Sequence, residues 1–207
     1  MDMKSIKSLL TLFLATISVF ATAQKTADQV MKHVVDNIKK HNNVEIGIDY
    51  KIINVAEGIN ENENGTITLQ GEAYRMEITQ QTITSDGKSV WTYSPDNEEV
   101  MITDEDGSLS PMKLLETYKH HKTVFAKSDK GKGLRIIEIT NSENNIDKIT
   151  VIVDEDKSEI RSFTLTDSEG NKHVITMKEY TYDKSLGNGF FKPTQADYPG
   201  AEVIDMR

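Results

Sequence analysis

The chain has 207 residues, a formal charge of −9 and no cysteine. A balance this acidic is a poor match for nucleic acid or for an anionic membrane surface. Without cysteine there is neither a disulfide framework nor a thiol nucleophile, so stability has to rest on an ordinary apolar core.

Residues 1–23 read as a targeting segment. Lys4 and Lys7 make a basic start, Leu9 to Phe20 is an apolar run, and Ala21-Thr22-Ala23 is a small-residue cleavage site. The run is shorter than the roughly 20 residues that a spanning helix needs. The expectation is an exported protein cut after Ala23, with one domain over residues 24–207.

Thr26 to His41 has the helical period. Thr26 and Gln29 have capping-box spacing, and Val30, Val34 and Ile38, with Met31 and Val35 beside them, form one apolar stripe. From Val44 the period falls to two. Val44, Ile46, Ile48, Tyr50 and Ile52 alternate with Glu45, Gly47, Asp49 and Lys51, which predicts a strand. A polar segment, Glu57 to Asn64, then ends in Asn64-Gly65, a hairpin-turn signal, with Gly65 to Gln70 as the return strand. The spacing Asn60-x-Asn62-x-Asn64-Gly65 is like the start of a calcium loop. It lacks a carboxylate at the first position and has Gly71 where the closing glutamate belongs.

Gly71 to Thr103 reads as an antiparallel meander. Tyr74, Met76 and Ile78 alternate with Ala73, Arg75 and Glu77. The runs Thr82–Thr84 and Val90–Tyr93 flank Ser85-Asp86-Gly87-Lys88, where Asp-Gly predicts a tight hairpin. Ser94-Pro95-Asp96-Asn97 turns the chain into Val100-Met101-Ile102. Trp91 is the sole tryptophan, and Tyr93, two residues on, shares its face.

Ser110-Pro111 has the N-cap and first-turn pattern of a helix, with Met112, Leu115 and Tyr118 as its apolar face. Glu116 and His120 have a spacing that can hold metal, but His121 points elsewhere on the helix, and the face reads as solvated. The later runs, from Thr123, Leu134, Ile149, Glu159 and Lys172, are strand-like and separated by short loops, one of them Asn141–Asn145. Short loops imply antiparallel neighbours, so the strands read as a meander curling toward a barrel. Phe190-Phe191 is the last apolar anchor. Of the histidines His33, His41, His120, His121 and His173, none stands in a motif of known catalytic mechanics. The chain therefore reads as a binding protein, with no catalytic residue, metal or cofactor.

The order of targeting segment, amphipathic helix and long meander frames two motifs. They are Ser85-Asp86-Gly87-Lys88-Ser89-Val90-Trp91-Thr92-Tyr93 and the tail from Tyr198-Pro199-Gly200 to Asp205-Met206-Arg207. Together they resemble the LolA family, periplasmic carriers of outer-membrane lipoproteins. Its members carry a similar S-D-G-K-x-x-W-x-Y segment and a P-x-G-V-x-V-x-D-x-R-like tail. The resemblance implies a single α+β domain, an incomplete antiparallel β-barrel made of one strongly curved sheet. An N-terminal helix and a mid-chain helix would cover its open side. It implies a cofactor-free, monomeric carrier that holds lipoprotein acyl chains in an apolar cavity. Cargo would come from an inner-membrane ABC lipoprotein exporter and pass to an outer-membrane acceptor. A periplasmic lipid- or lipoprotein-sensing module and a structural envelope protein without a ligand are the two alternatives.

On the carrier reading, the alternating faces nominate a cavity wall. It comprises Ile46, Ile48 and Tyr50, then Ile67 and Leu69, then Tyr74, Met76 and Ile78, and finally Trp91, Tyr93 and Met101. Met112, Leu115 and Tyr118 would form the lid. Many members have an Arg-Pro pair after the second strand, tied to lid control. This chain has Leu69-Gln70-Gly71 there, which leaves Arg75, next to Tyr74, as the candidate polar gate.

Overall fold

The first helix, α1, spans Ala27–Lys39. The computed structural model describes residues 25–107, 110–131, 133–140, 146–167 and 169–207. Residues 1–24, with the expected targeting segment, and 141–145, where a loop is expected, lie outside those residues. The capping box is formed: Thr26 Oγ1 accepts from the Gln29 amide at 3.2 Å, and Gln29 Oε1 accepts from the Thr26 amide at 2.9 Å. These bonds satisfy amides that a helix start would otherwise leave without partners. The stripe of Val30, Met31, Val34, Val35 and Ile38 is buried, as its spacing predicts.

Among the described residues, twelve strands join in one sheet. They are β1 (Val44–Asn54), β2 (Ile59–Gln70), β3 (Ala73–Ile78), β4 (Gln81–Ser85), β5 (Ser89–Ser94) and β6 (Glu99–Asp104), then β7 (Lys122–Phe125), β8 (Leu134–Thr140), β9 (Ile146–Asp154), β10 (Glu159–Asp167), β11 (Lys172–Tyr182) and β12 (Glu202–Asp205). Their order is β12-β6-β5-β4-β3-β2-β1-β11-β10-β9-β8-β7. This corrects the expectation of one continuous meander. There are two meanders, β1–β6 and β7–β11, joined where β11 pairs with β1. β6 and β7 follow each other in the chain but lie in opposite arms. Between them runs the second helix, α2 (Pro111–Glu116). β12 adds to the edge of β6 in parallel. The two outermost strands, β12 and β7, do not pair, so the sheet curves without closing. This is the α+β half-barrel that the sequence led us to expect.

The Asn64-Gly65 turn is also corrected. β1 and β2 pair without a break from Val44–Leu69 to Asn54–Ile59, so the turn is at Val55–Gly58 and Asn64-Gly65 lies inside β2. Gly65 answers a different demand. A Cβ at that position would meet the Glu77 carbonyl oxygen on β3 at 2.1 Å. Glycine in a strand can mark close backbone approach as well as a turn. The same register makes Asn60–Gly65 extended strand, with no loop to wrap a calcium ion. The Asp86-Gly87 hairpin is where it was expected: Gly87 has φ +85°, and Asp86 Oδ1 accepts from the Lys88 and Ser89 amides at 3.0 Å each.

Directly opposed residues of a ladder share a face, so register sorts the side chains. On β1 and β2 the pairs Val44–Leu69, Ile46–Ile67, Ile48–Gly65 and Tyr50–Glu63 lie on one side. That side continues through Tyr74, Met76 and Ile78 on β3 and through Tyr180, Met177 and Ile175 on β11. Both helices pack on this inner face, where their stripes join Ile137, Ile139, Ile149, Val151 and Phe163 from the second arm in the main core.

Candidate binding face

The helices roof only part of the inner face. α2 begins as its sequence predicts: Ser110 Oγ accepts from the Lys113 amide at 3.4 Å, and Pro111 takes the first helical position. The helix is short, passing at Thr117 into a 3-10 turn that ends at Lys119. Met112, Leu115 and Tyr118 are buried in the main core, on the inner side of the sheet. Glu116 faces the other way. It accepts from Lys39 Nζ on α1 at 2.6 Å and from Lys119 Nζ at 2.7 Å, and so ties α2 to α1.

Partial burial pushes the Glu116 carboxyl upward, but the Lys119 and Lys39 ammonium groups more than reverse this, leaving it below its ordinary value of 4.5. A depressed carboxylate contributes stability that is complete above the ordinary value and is lost as pH falls through the folded-state value. Glu116→Gln should therefore loosen α2 at pH 7, by less than about 1 kcal/mol because the pair is part-exposed. The gap between variant and wild type should be smaller at an acid pH below 4.5 than at pH 7. Hydrogen exchange of the α2 amides at both pH values checks this; an equal gap at both would contradict it.

Burial falls along β1 and β2 away from the helices. Val44, Ile46, Ile48, Ile67 and Leu69 are buried, whereas Tyr50, Ile52 and Glu63 are half-buried and Glu61 is exposed. Across this end of the inner face, Tyr50, Met76, Ile78, Leu165, Ile175 and Met177 pack against the core yet stay half-buried. The result is a concave apolar strip drawn from β1, β3, β10 and β11. Tyr50 Oη and His173 Nδ1 are hydrogen-bonded at 2.9 Å on this strip. Burial, and then the fields of Glu63 and Glu61, hold the Tyr50 phenol above its ordinary range. At the opposite end, a pocket of about 240 Å³ opens between α1, the β2–β3 turn and α2. Ile38, Leu69 and Met112 form its apolar wall, with Lys39, His41 and Glu72 around them.

The structure divides the predicted wall. Ile46, Ile48, Ile67, Leu69 and Tyr74 are buried in the main core, and Tyr50, Met76 and Ile78 lie on the open strip. Met101 shares the inner face, through the row Met76–Ile83–Thr92–Met101. Trp91 and Tyr93 do not. Their row runs Arg75–Thr84–Trp91–Ile102, with Glu77–Thr82–Tyr93–Val100 beside it, on the outer face. There Trp91, Val100 and Ile102 form a second cluster with Tyr198 and Ala201 of the C-terminal segment, and Tyr93 packs against it. The placing of Trp91 and Tyr93 in the inner wall is therefore corrected, because this arm of the sheet is buried on both faces. Arg75 is corrected with them. It pairs with Glu77 at 2.9 Å and lies 5.2 Å from the centre of the Phe190 ring, on the far side of the sheet from the helices. Leu165, His173, Ile175 and Met177 were missed. Their alternation was visible, but not that β11 would pair with β1.

The family model of the outer membrane lipoprotein carrier protein LolA matches residues 58–194, from the start of β2 to beyond β11. The chain belongs to the LolA family. The LolA match takes in strands β2 to β11 and α2, while α1, β1 and the tail strand β12 fall outside it. An uncharacterized conserved protein from Thermus thermophilus has the same fold, with a TM-score of 0.58 at 12% identity over 86% of this chain and 98% of that one. A LolA superfamily protein from Nitrosomonas europaea aligns at TM-score 0.47 and 9% identity, over 82% of this chain and 98% of its own. The lipoprotein LppX from Mycobacterium tuberculosis aligns at TM-score 0.43 and 9% identity, over 78% and 97%. None of the curated proteins compared with the chain matches it.

Proposed function

We propose that this LolA-family protein is a periplasmic carrier that holds the acyl chains of lipoproteins on its inner face. On this reading it moves them from the inner to the outer membrane. The observation that carries the reading is the half-roofed apolar strip of Tyr50, Met76, Ile78, Leu165, Ile175 and Met177. A soluble protein that keeps a concave apolar surface reachable beside its core has a surface to offer a greasy ligand. Each acyl CH₂ transferred from water is worth about 0.8 kcal/mol, so a two-chain anchor supplies ample affinity and release becomes the harder step. Met76 and Met177 suit a surface that fills and empties, because methionine re-packs at little cost. Residues 1–23 would direct export. An inner-membrane ABC exporter would load the protein and an outer-membrane acceptor would unload it, with no catalytic step and no cofactor.

The test is extraction. Purified protein is added to inner-membrane vesicles carrying a labelled diacylated lipoprotein together with the exporter. Labelled lipoprotein should appear in the soluble fraction in a one-to-one complex with the carrier. Lipoprotein that stays on the vesicles, with no diacyl lipopeptide bound in solution, would contradict the carrier reading and favour an envelope protein without a ligand.

A further inference from the structure

The open strip has a charge as well as a shape. None of the paired inner-facing positions of β1, β2, β3 and β11 is lysine or arginine, and Lys178, at the irregularity in the β1–β11 register, pairs with Asp49 of the opposite face. The ionisable carboxylate and imidazole groups there are Glu61, Glu63 and His173, all at the end away from the helices. Lys51 and Lys172 are nearby in sequence but belong to the opposite face, where Lys51 pairs with Val174 and Lys172 with Ile53. Glu63 stands directly across from Tyr50, and Glu61 from Ile52. Opposed side chains have Cβ atoms about 5 Å apart, and residues two along a strand are about 7 Å apart. Both carboxylates therefore border the apolar strip, spaced so that one small cation can be shared between them.

Resting on the carrier reading, we infer that this face selects a diacylated lipoprotein N-terminus whose α-amino group is free. The chemistry of the cargo leads there. When two chains are attached through the cysteine sulfur, the α-nitrogen is either an ammonium or is itself acylated and neutral. With the chains laid along Met76, Ile78, Ile175 and Met177, the head group arrives beside Glu61 and Glu63. An ammonium there finds carboxylates at an apolar margin, where attraction is stronger than in bulk water. A neutral amide gains nothing from them. An anionic head group is repelled, so phosphate-bearing lipids are discriminated against at the same place.

The experiment compares two lipopeptides that differ by one charge. They carry the same two acyl chains and the same peptide; one has a free amino terminus and the other is N-acetylated. Binding is measured by displacement of a fluorescent fatty-acid probe from the purified protein. The free amine should bind about fivefold more tightly, the size of one favourable part-exposed ion pair. The advantage should shrink in high salt. In the double variant Glu61→Gln/Glu63→Gln it should disappear, while affinity for the acetylated form stays as in the wild type. Glutamine at 63 keeps an oxygen for the Gln80 amide, which donates to Glu63 at 3.3 Å, so the β3–β4 turn retains its anchor. Equal binding of the two lipopeptides by the wild type, or a preference that survives in the double variant, would overturn the inference and leave the carrier reading standing. Binding of neither lipopeptide would overturn both.

Discussion

Replacing Asp129 with alanine should cost about 3–5 kcal/mol of unfolding free energy, the usual loss when one partner of a buried ion pair is removed. Its partner is Arg135 on β8; the side chain of Arg135 is 3% exposed and that of Asp129 is 7% exposed. Arg135 Nε donates to Asp129 Oδ2 at 3.1 Å, and Nη1 donates to Glu155 at 3.0 Å. Nη2 stands 3.1 Å from Asp129 Oδ2 but out of line for a hydrogen bond. The guanidinium also lies over the Phe125 ring, 3.6 Å from its centre. Asp129 Oδ1 accepts from the Ile136 amide at 2.9 Å and so holds the backbone of β8 as well. Among the described residues, the cation without Asp129 would keep Glu155 as its one carboxylate partner, which Lys25 already approaches at 3.3 Å, and the Ile136 amide would lose its acceptor. Asp129→Asn should cost less, because it keeps an oxygen for that amide. Asp129→Leu combined with Arg135→Met should recover the part of the loss that comes from the stranded cation, since a desolvated ion pair contributes little net stability over an apolar pair, but not the part that comes from the Ile136 amide. Urea unfolding of the three variants checks this. A loss below about 1 kcal/mol for Asp129→Ala would mean that water replaces the carboxylate.

Trp91→Ala should cost a similar amount, about 3–5 kcal/mol, because it empties a filled site rather than a cavity wall. Trp91 is 8% exposed and packs on the outer face with Val100, Ile102, Tyr198 and Ala201. That patch is what the C-terminal segment rests on. Tyr93 and Tyr198 rings lie 4.8 Å apart, β12 pairs along β6, and Arg207 Nη1 donates to Ser89 Oγ at 3.1 Å. Loss of the indole should therefore loosen the tail before the helices. The placement also sets a spectroscopic expectation: a lipopeptide bound on the inner face should leave Trp91 emission unchanged. A saturable blue shift, together with near-native stability of Trp91→Ala, would put the indole back in the site.

The contrast between Trp91 and Met76 shows how far the sequence could be read. Both lie in alternating runs, and alternation identifies a buried face without saying which side of the sheet covers it. The tail that buries Trp91 arrives about a hundred residues later, and no local signal announces it. The helices were legible because the 3.6 period and the caps at Thr26 and Ser110 are local facts. Asp86-Gly87 was legible for the same reason. Asn64-Gly65 misled because glycine serves two ends, and only the register shows the Glu77 carbonyl where a Cβ would go. The open strip needs β11 beside β1. That pairing joins residues more than a hundred positions apart, so Ile175 and Met177 could not be linked to Tyr50 from the chain alone.

The most direct test of the binding face is photo-crosslinking with a diacyl lipopeptide that carries a diazirine in one acyl chain. After irradiation, the labelled residues are located by peptide mass spectrometry, with and without an excess of unlabelled lipopeptide. The expected result is competable labelling at Met76, Ile78, Ile175 and Met177, with Val100, Ile102 and Tyr198 unlabelled. Competable labelling centred on that outer cluster, or none that competes, would contradict the inner face as the place where acyl chains are held.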